Sequence, residues 1–455
     1  MLLQNGWICP MDDSGAEHES GWVLVRDGLV EAVGGAEPPP ADEVIDLAGA
    51  VVTPGLVNTH HHLYQTLTRA RAQEATLFEW LQELYPVWAR IDAEAEYAAA
   101  RTGLAELALS GCTTVFDHHY VFPRGREGLW EAEVQAAREL GLRIVASRGS
   151  MDLGESDGGL PPDSLVESID QVLAETKRLA GLQDEEGMVQ LAVAPCSPFS
   201  VTKELMAESA ELARRLHLRL HTHLAETVQE ADYCEQLYSC TPVQYLEQLG
   251  WVAGDVWCAH CVHLSANDVA AFARAGVGVA HCPTSNLRLG AGVAPVRDLI
   301  DAGVPVGLGV DGSASNERSD LFFEVKQALL VARGRGGPQG FWPGDAGFAG
   351  VAPSPRAMTV REALRLGTRG GAAVLGRDDI GRLAPGKRAD IAVWRTDGLE
   401  LGGAETDPVA GLVLSAPHRV DRLYVAGEGV VRDGHLVRAD EDEIAREHRK
   451  QAARL

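Results

Sequence analysis

Residues 50–63 read AVVTPGLVNTHHHL, an apolar, β-branched run that closes on His60, His61 and His62. Alternate residues of a strand share a face, so His60 and His62 can hold one ligand while His61 points away. Three later runs end in the same way. RLHTHLAET, from Arg219, brings up His221, His223 and Glu226; VWCAHCVHL, from Val256, brings up His260 and His263; VPVGLGVDGS, from Val304, ends near Asp311. His221 and His223 are again two apart. Runs that each close on a ligand-type side chain point to one metal site shared at one end of a sheet or barrel. A metal with histidine, carboxylate and an open water position is hydrolytic machinery.

The strand candidates number eight. Those runs are joined by CTTVFDHHY from Cys112, LRIVASRGSM from Leu142, VQLAVAP from Val189 and GVGVAHCPTS from Gly276. Between them lie stretches such as EAEYAAARTGLAELALSG and KELMAESAELARRLHLR, whose apolar residues recur every three or four positions, as in helices with one buried face. Alternating strands and helices in this number predict a closed parallel (β/α)₈, TIM-like barrel over residues 54–383. Reactive groups in such a barrel gather at the carboxyl ends of the strands. Residues 1–53 and 384–455 carry short alternating runs broken by Gly and Asp, and predict a small β-sandwich domain assembled from both termini. The Gly- and Pro-rich segment 332–356 is expected to be a loop over the strand ends, a candidate lid, with a disordered linker as the competing reading.

Composition narrows the partners. With 455 residues the chain is too long for one core, and 45% hydrophobic with 23% charged residues is ordinary for a globular protein. The 65 acidic against 40 basic residues leave a formal charge of −25, which argues against nucleic acid. Eight cysteines are too sparse for a disulfide scaffold and suit reduced, buried thiols in a cytoplasm. The start, MLLQNGWICPMDD, lacks the features of a signal peptide, and no apolar run reaches membrane-spanning length. The expected partner is a small molecule, with neither nucleic acid nor membrane involved. Symmetric association into a homo-oligomer is expected of such an enzyme.

NTHHHLYQT, HTHLAET, AHCVHLS, HCPTSNLRLG, GLGVDGSASN and LAPGKRADIAVW resemble, in order and spacing, the amidohydrolase superfamily and its aminohydrolase branch. Within that branch, SRGSMDLGESDGGLPPDS (147–164) and ADYCEQLYSCTPVQYLEQLGW (231–251) look like the 8-oxoguanine deaminases, with some texture shared by triazine hydrolases. The resemblance implies metal ligands His60, His62, His223 and Asp311. It implies a proton shuttle at Glu226, with His260 and Asp311 orienting and deprotonating the attacking water. Binuclear relatives carry a bridging lysine on the fourth strand. Here LAVAPCSPFS has none, and Lys203 comes later, so one divalent metal per chain is expected, zinc ahead of iron.

Planar heterocycles call for aromatic walls and for amide or guanidinium groups that read ring edges. Gln65, His119, Arg148 and Trp88 are the candidate substrate contacts; Tyr64, Trp80, Tyr120 and His281 lie in segments that approach the same place. The resemblance implies hydrolytic deamination of 8-oxoguanine to urate and ammonia by a metal-bound hydroxide. Deamination of guanine, isocytosine or a pterin, and loss of alkylamine or chloride from a triazine, are the alternatives, and S-adenosylhomocysteine is a more distant one. A non-catalytic scaffold of the same fold would show gaps among the ligands and the acid, and none is seen here.

Overall fold

Eight parallel strands close into a barrel in chain order: Leu56–Asn58, Cys112–Asp117, Arg143–Ser150, Val189–Pro195, Arg219–Leu224, Val256–His260, Gly278–His281 and Val306–Leu308. Each falls within one of the eight predicted runs. The last strand pairs with the first through Leu308 and Asn58, which completes the closure. The computed structural model describes residues 1–184, 186–336, 357–415 and 419–455.

The helices between strands form because their caps and their apolar spacing agree. Ala93–Leu109 begins where the Asp92 carboxylate accepts the Ala95 N–H at 3.0 Å. Lys203–Arg215 begins on Thr202 and buries Leu205, Met206, Ser209, Ala210, Leu212 and Ala213, one face at three- and four-residue spacing. That face covers the barrel wall.

The opening stretch is not one strand but two. Val51–Pro54 pairs with Leu2–Ile8 and antiparallel with Ile391–Trp394, in a separate nine-stranded sheet built from both ends of the chain. Leu56–Asn58 then starts the barrel. Gly55 sits at the crossing because a Cβ there would meet the Thr113 side chain at 2.2 Å. Pro54, with no N–H to donate, ends the first ladder naturally.

A buried ion pair ties the two sheets together. Arg143, on the third barrel strand, donates to the Asp390 carboxylate, whose Oδ1 also accepts the Ala426 N–H at 2.8 Å. The carboxyl-terminal region is less purely β than its texture predicts. It contributes helices Pro408–Ser415 and Glu441–Ala452, the latter capped by Asp440 and anchored by Ile444 and Gln451 one heptad apart. The start of the predicted 332–356 loop belongs to the helix Leu321–Gly336; residues 337–356 lie outside the described residues. Among the described residues no helix is long and apolar enough to cross a membrane.

Candidate metal centre and substrate cavity

Beyond the first strand, Thr59 N–H donates to Leu308 O at 2.9 Å and Asp311 N–H to His60 O at 3.1 Å. These bonds bring His60, His62 and Asp311 together at the carboxyl end of the barrel, where His223 of the fifth strand joins them. Hydrogen bonding fixes their tautomers. His62 Nδ1 lies 2.7 Å from His118 O, and His223 Nδ1 lies 2.6 Å from Cys196 O. A carbonyl only accepts, so both Nδ1 atoms carry the proton and both Nε2 atoms present lone pairs. His60 reaches the same state through a relay. His221 Nδ1 donates to Trp257 O at 3.0 Å, leaving its Nε2 to accept from His60 Nδ1 at 3.0 Å. His60 Nε2 is therefore a buried lone pair with no hydrogen-bond partner.

The lone pairs converge. His62 Nε2 and His223 Nε2 are 3.1 Å apart, and Asp311 Oδ1 is 3.4 Å from both His60 Nε2 and His62 Nε2. Bonds of about 2.0–2.1 Å to a tetrahedral zinc require ligand atoms separated by about 3.3–3.4 Å. The donor set fits a divalent cation of that size. Burial first, then the neighbouring imidazoles, holds His62 and His223 well below the ordinary histidine pKa, as neutral ligands require. Burial opposes ionisation of Asp311, but its Oδ1 accepts the Gly312 N–H at 2.7 Å, a bond that favours the carboxylate. His118 and Cys282 also come within 4.8 Å of members of this set. His118 commits its Nε2 proton to Ala194 O at 2.8 Å and stacks on His223. Lys203 is elsewhere, its ammonium 4.1 Å from the Tyr238 ring centroid.

Glu226 stands next to the cluster. The strand-to-helix turn that carries it is held by Glu230, whose carboxylate accepts the N–H groups of Ala225 and Glu226 at 2.8 and 3.1 Å. Glu226 Oε2 lies 3.7 Å from His260 Nε2, and His260 Nε2 lies 3.8 Å from Asp311 Oδ2. Burial, opposed by His260 and aided by Asp311, pushes the Glu226 carboxyl up to about 7. His260 Nδ1 is paired with Asn286 Oδ1 at 2.9 Å; burial would lower its pKa, but Glu226 and Asp311 together raise it. His260 and Asp311 both hold left-handed backbone, with φ of +67° and +63°. Such strain costs about 1–3 kcal/mol and gathers at functional sites. Nothing in the residue pattern announces it.

These groups open onto a cavity that is continuous with solvent. Leu77, Trp80, Leu81 and Tyr85 wall it from one face of the helix Leu77–Trp88, with Phe199 and Leu289 adding apolar surface. Gln65, Tyr120, Ser197 and Ser315 add polar groups beside His62, His223, Glu226, His260 and Asp311. Both amide atoms of Gln65 are buried without a partner, a donor and an acceptor available to a ring edge. Its side chain lies against Gly312, where a Cβ would meet Oε1 at 1.9 Å.

Of the four candidate substrate contacts, only Gln65 lines the cavity. Trp88 packs behind it against Tyr64, Trp80 and Tyr85, with its N–H given to Thr68 Oγ1 at 3.1 Å. Arg148 is bound twice to Glu167 at 2.7 Å and lies over the Phe122 ring. His119 turns away, with its Nε2 donating to Val121 O at 2.8 Å. Tyr85, Phe199, Leu289 and Ser315 were not singled out by the sequence reading. Glu230 had a visible signal, an acid four residues after Glu226 at the start of a helix.

The family model described as "Amidohydrolase family" matches residues 51–430, from the first strand of the opening stretch to the terminal sheet. The chain belongs to the amidohydrolase family. It is 45% identical over 444 residues to 8-oxoguanine deaminase from Pseudomonas aeruginosa, covering 96% of this chain and 95% of that one. It is 39% identical over 445 residues to an isoxanthopterin deaminase from an unknown prokaryotic organism, covering 94% and 90%. Among solved structures, the zinc complex of an atrazine chlorohydrolase from Arthrobacter aurescens TC1 matches with a TM-score of 0.91, 34% identity and 99% of both chains.

Proposed function

We propose that this amidohydrolase is a metal-dependent aminohydrolase that converts 8-oxoguanine to urate and ammonia. The observation that carries the reading is Glu226, buried on the cavity wall beside the ligand cluster, with a carboxyl able to hold or give a proton near neutral pH. The kinship to 8-oxoguanine deaminase supports the choice of ring. So does Gln65, whose unpaired amide suits the C=O and N–H of an oxopurine edge between apolar walls.

One divalent cation, zinc ahead of iron, held by His60, His62, His223 and Asp311, supplies the Lewis acidity that makes water nucleophilic near neutral pH. His260 and Asp311 take a proton from water as its oxygen adds to the ring carbon that bears the amino group. Glu226 gives its proton to the adjoining ring nitrogen as the C=N bond opens. Asp311 passes its proton to the exocyclic amine, the C–N bond breaks, and ammonia leaves. Glu226 recovers a proton from the hydroxyl that becomes the new carbonyl. Symmetric association and a reducing, cytoplasmic setting are part of the proposal; the eight free, buried cysteines support the latter.

The test is turnover of 8-oxoguanine, guanine, isocytosine, isoxanthopterin and hydroxyatrazine by zinc-reconstituted protein, with ammonia and organic products both measured. The highest kcat/KM on 8-oxoguanine, with urate accumulating, is expected. A preference for another ring would move the specificity. Alkylamine release from the triazine, with no purine turnover, would replace the reading with that of a triazine hydrolase.

A further inference from the structure

A second cluster of metal-ligating side chains lies outside the cavity, where the helices Ala93–Leu109 and Leu129–Leu140 pack together and the first of them meets the strand Cys112–Asp117. Glu96, Glu133, Asp117 and His119 are all completely buried there. All four carboxylate oxygens of Glu96 and Glu133 lack a hydrogen-bond partner, and so does Asp117 Oδ2. Asp117 Oδ1 accepts the Leu63 N–H at 2.7 Å. Among the described residues no lysine or arginine pairs with these acids.

His119 is an independent pointer to a ligand. Its Nε2 donates to Val121 O at 2.8 Å, so the proton sits on Nε2 and Nδ1 is a lone pair. That Nδ1 is buried and unpartnered, 3.6 Å from Glu96 Oε1, too far for a carboxyl proton to bridge well. One ligand atom from each of Glu96, His119 and Glu133 falls within 4.8 Å of the others. Leaving several acceptors dry and facing one another is costly, and a cation among them removes the cost.

We propose that Glu96, Glu133 and His119 bind a second divalent cation, distinct from the one at the catalytic centre, with Asp117 as an adjoining carboxyl. Two carboxylates and a neutral imidazole balance a charge of +2. An oxygen-rich set with one imidazole suits manganese, ferrous iron or zinc. Without a cation, burial, reinforced by the neighbouring acids, raises Asp117 and Glu133 well above the ordinary carboxylate range. A cation here would brace the two helices and, through Asp117, the Leu63 N–H immediately after His62. The metal content would be two per chain, against the one expected from the sequence.

The test is elemental analysis of the full-length protein, loaded with zinc, exposed to excess Mn²⁺ and desalted. Two divalent cations per chain are expected. Glu133→Gln and Glu96→Gln should each lose one while keeping the other, and His223→Ala should lose the catalytic ion while keeping the second. One ion per chain, lost with His223→Ala and unaffected by Glu133→Gln, would overturn the proposal. If the glutamine variants do not fold, anomalous scattering at the manganese edge from wild-type crystals decides. A peak among Glu96, His119 and Glu133 supports the site, and its absence there overturns it.

Discussion

His62 Nε2 and His223 Nε2 face one another across 3.1 Å with both ring protons committed to backbone carbonyls on the far side. Neither nitrogen can donate to the other, so the pair is repulsive without a cation. Stripping the metal with a chelator is therefore expected to lower Tm as well as activity, and zinc should restore both. His223→Ala should remove the catalytic metal and nearly all turnover while softening the effect of the chelator on Tm. A Tm indifferent to chelation in the wild type would contradict this account of the cluster.

Gly312 bears on specificity through Gln65. A methyl group at Gly312 would overlap Gln65 Oε1 and force the amide out of its place on the cavity wall. Gly312→Ala should raise KM for the purine about 10-fold or more, the scale of losing a hydrogen bond or two to the ring. Metal content should be unchanged. Gln65→Ala should reproduce most of the effect, and the double variant should add little to it. Additive losses would separate the two residues.

Stability should depend on pH through Glu324. Burial pushes its carboxyl up to about 8 from an ordinary 4.5, although it accepts the Thr284 N–H at 3.1 Å and the Asn316 amide at 3.0 Å. A folded-state pKa above the unfolded one means that the native state holds the extra proton between the two values. Its contribution to stability is present in full below about 4.5 and is lost as pH rises to about 8. Urea denaturation across that window should show a falling midpoint. Glu324→Gln should flatten the slope, even though its amide meets one donor badly and lowers stability overall.

The Arg143–Asp390 pair joins the barrel to the terminal sheet in a fully buried setting. Asp390→Ala leaves the guanidinium uncompensated and should cost about 3–5 kcal/mol in denaturant unfolding. Replacing both residues with apolar ones of similar volume should recover much of that loss. A single variant within about 0.5 kcal/mol of wild type, the range of ordinary surface changes, would show that the pair does not couple the sheets.

Much of this was legible in the chain. The eight barrel strands are short, largely apolar and almost wholly buried, so each stands out against the helical period around it. That His60, His62, His223, Glu226, His260 and Asp311 would lie together could be read because strand ends are where a parallel barrel presents chemistry, while the roles proposed for them came from the resemblance. The division of 50–63 between two sheets was not legible, because an apolar run carries no mark of which sheet it joins; only contact with Thr113 explains Gly55. The cavity wall was read poorly for a related reason. Leu77, Trp80, Leu81 and Tyr85 share a helical face, but periodicity does not say whether that face meets core or ligand. Arg148 and His119 had the right chemistry and the right neighbourhood, yet Glu167 and Val121 claim them.

The most direct measurement is Glu226→Gln, assayed for metal content and for ammonia release from 8-oxoguanine. Glutamine preserves the shape of the side chain and removes only its capacity to carry a proton. The account predicts an intact catalytic metal with kcat lowered about 10²- to 10⁴-fold, the usual contribution of general acid–base catalysis. Near-normal turnover with the metal in place would contradict it.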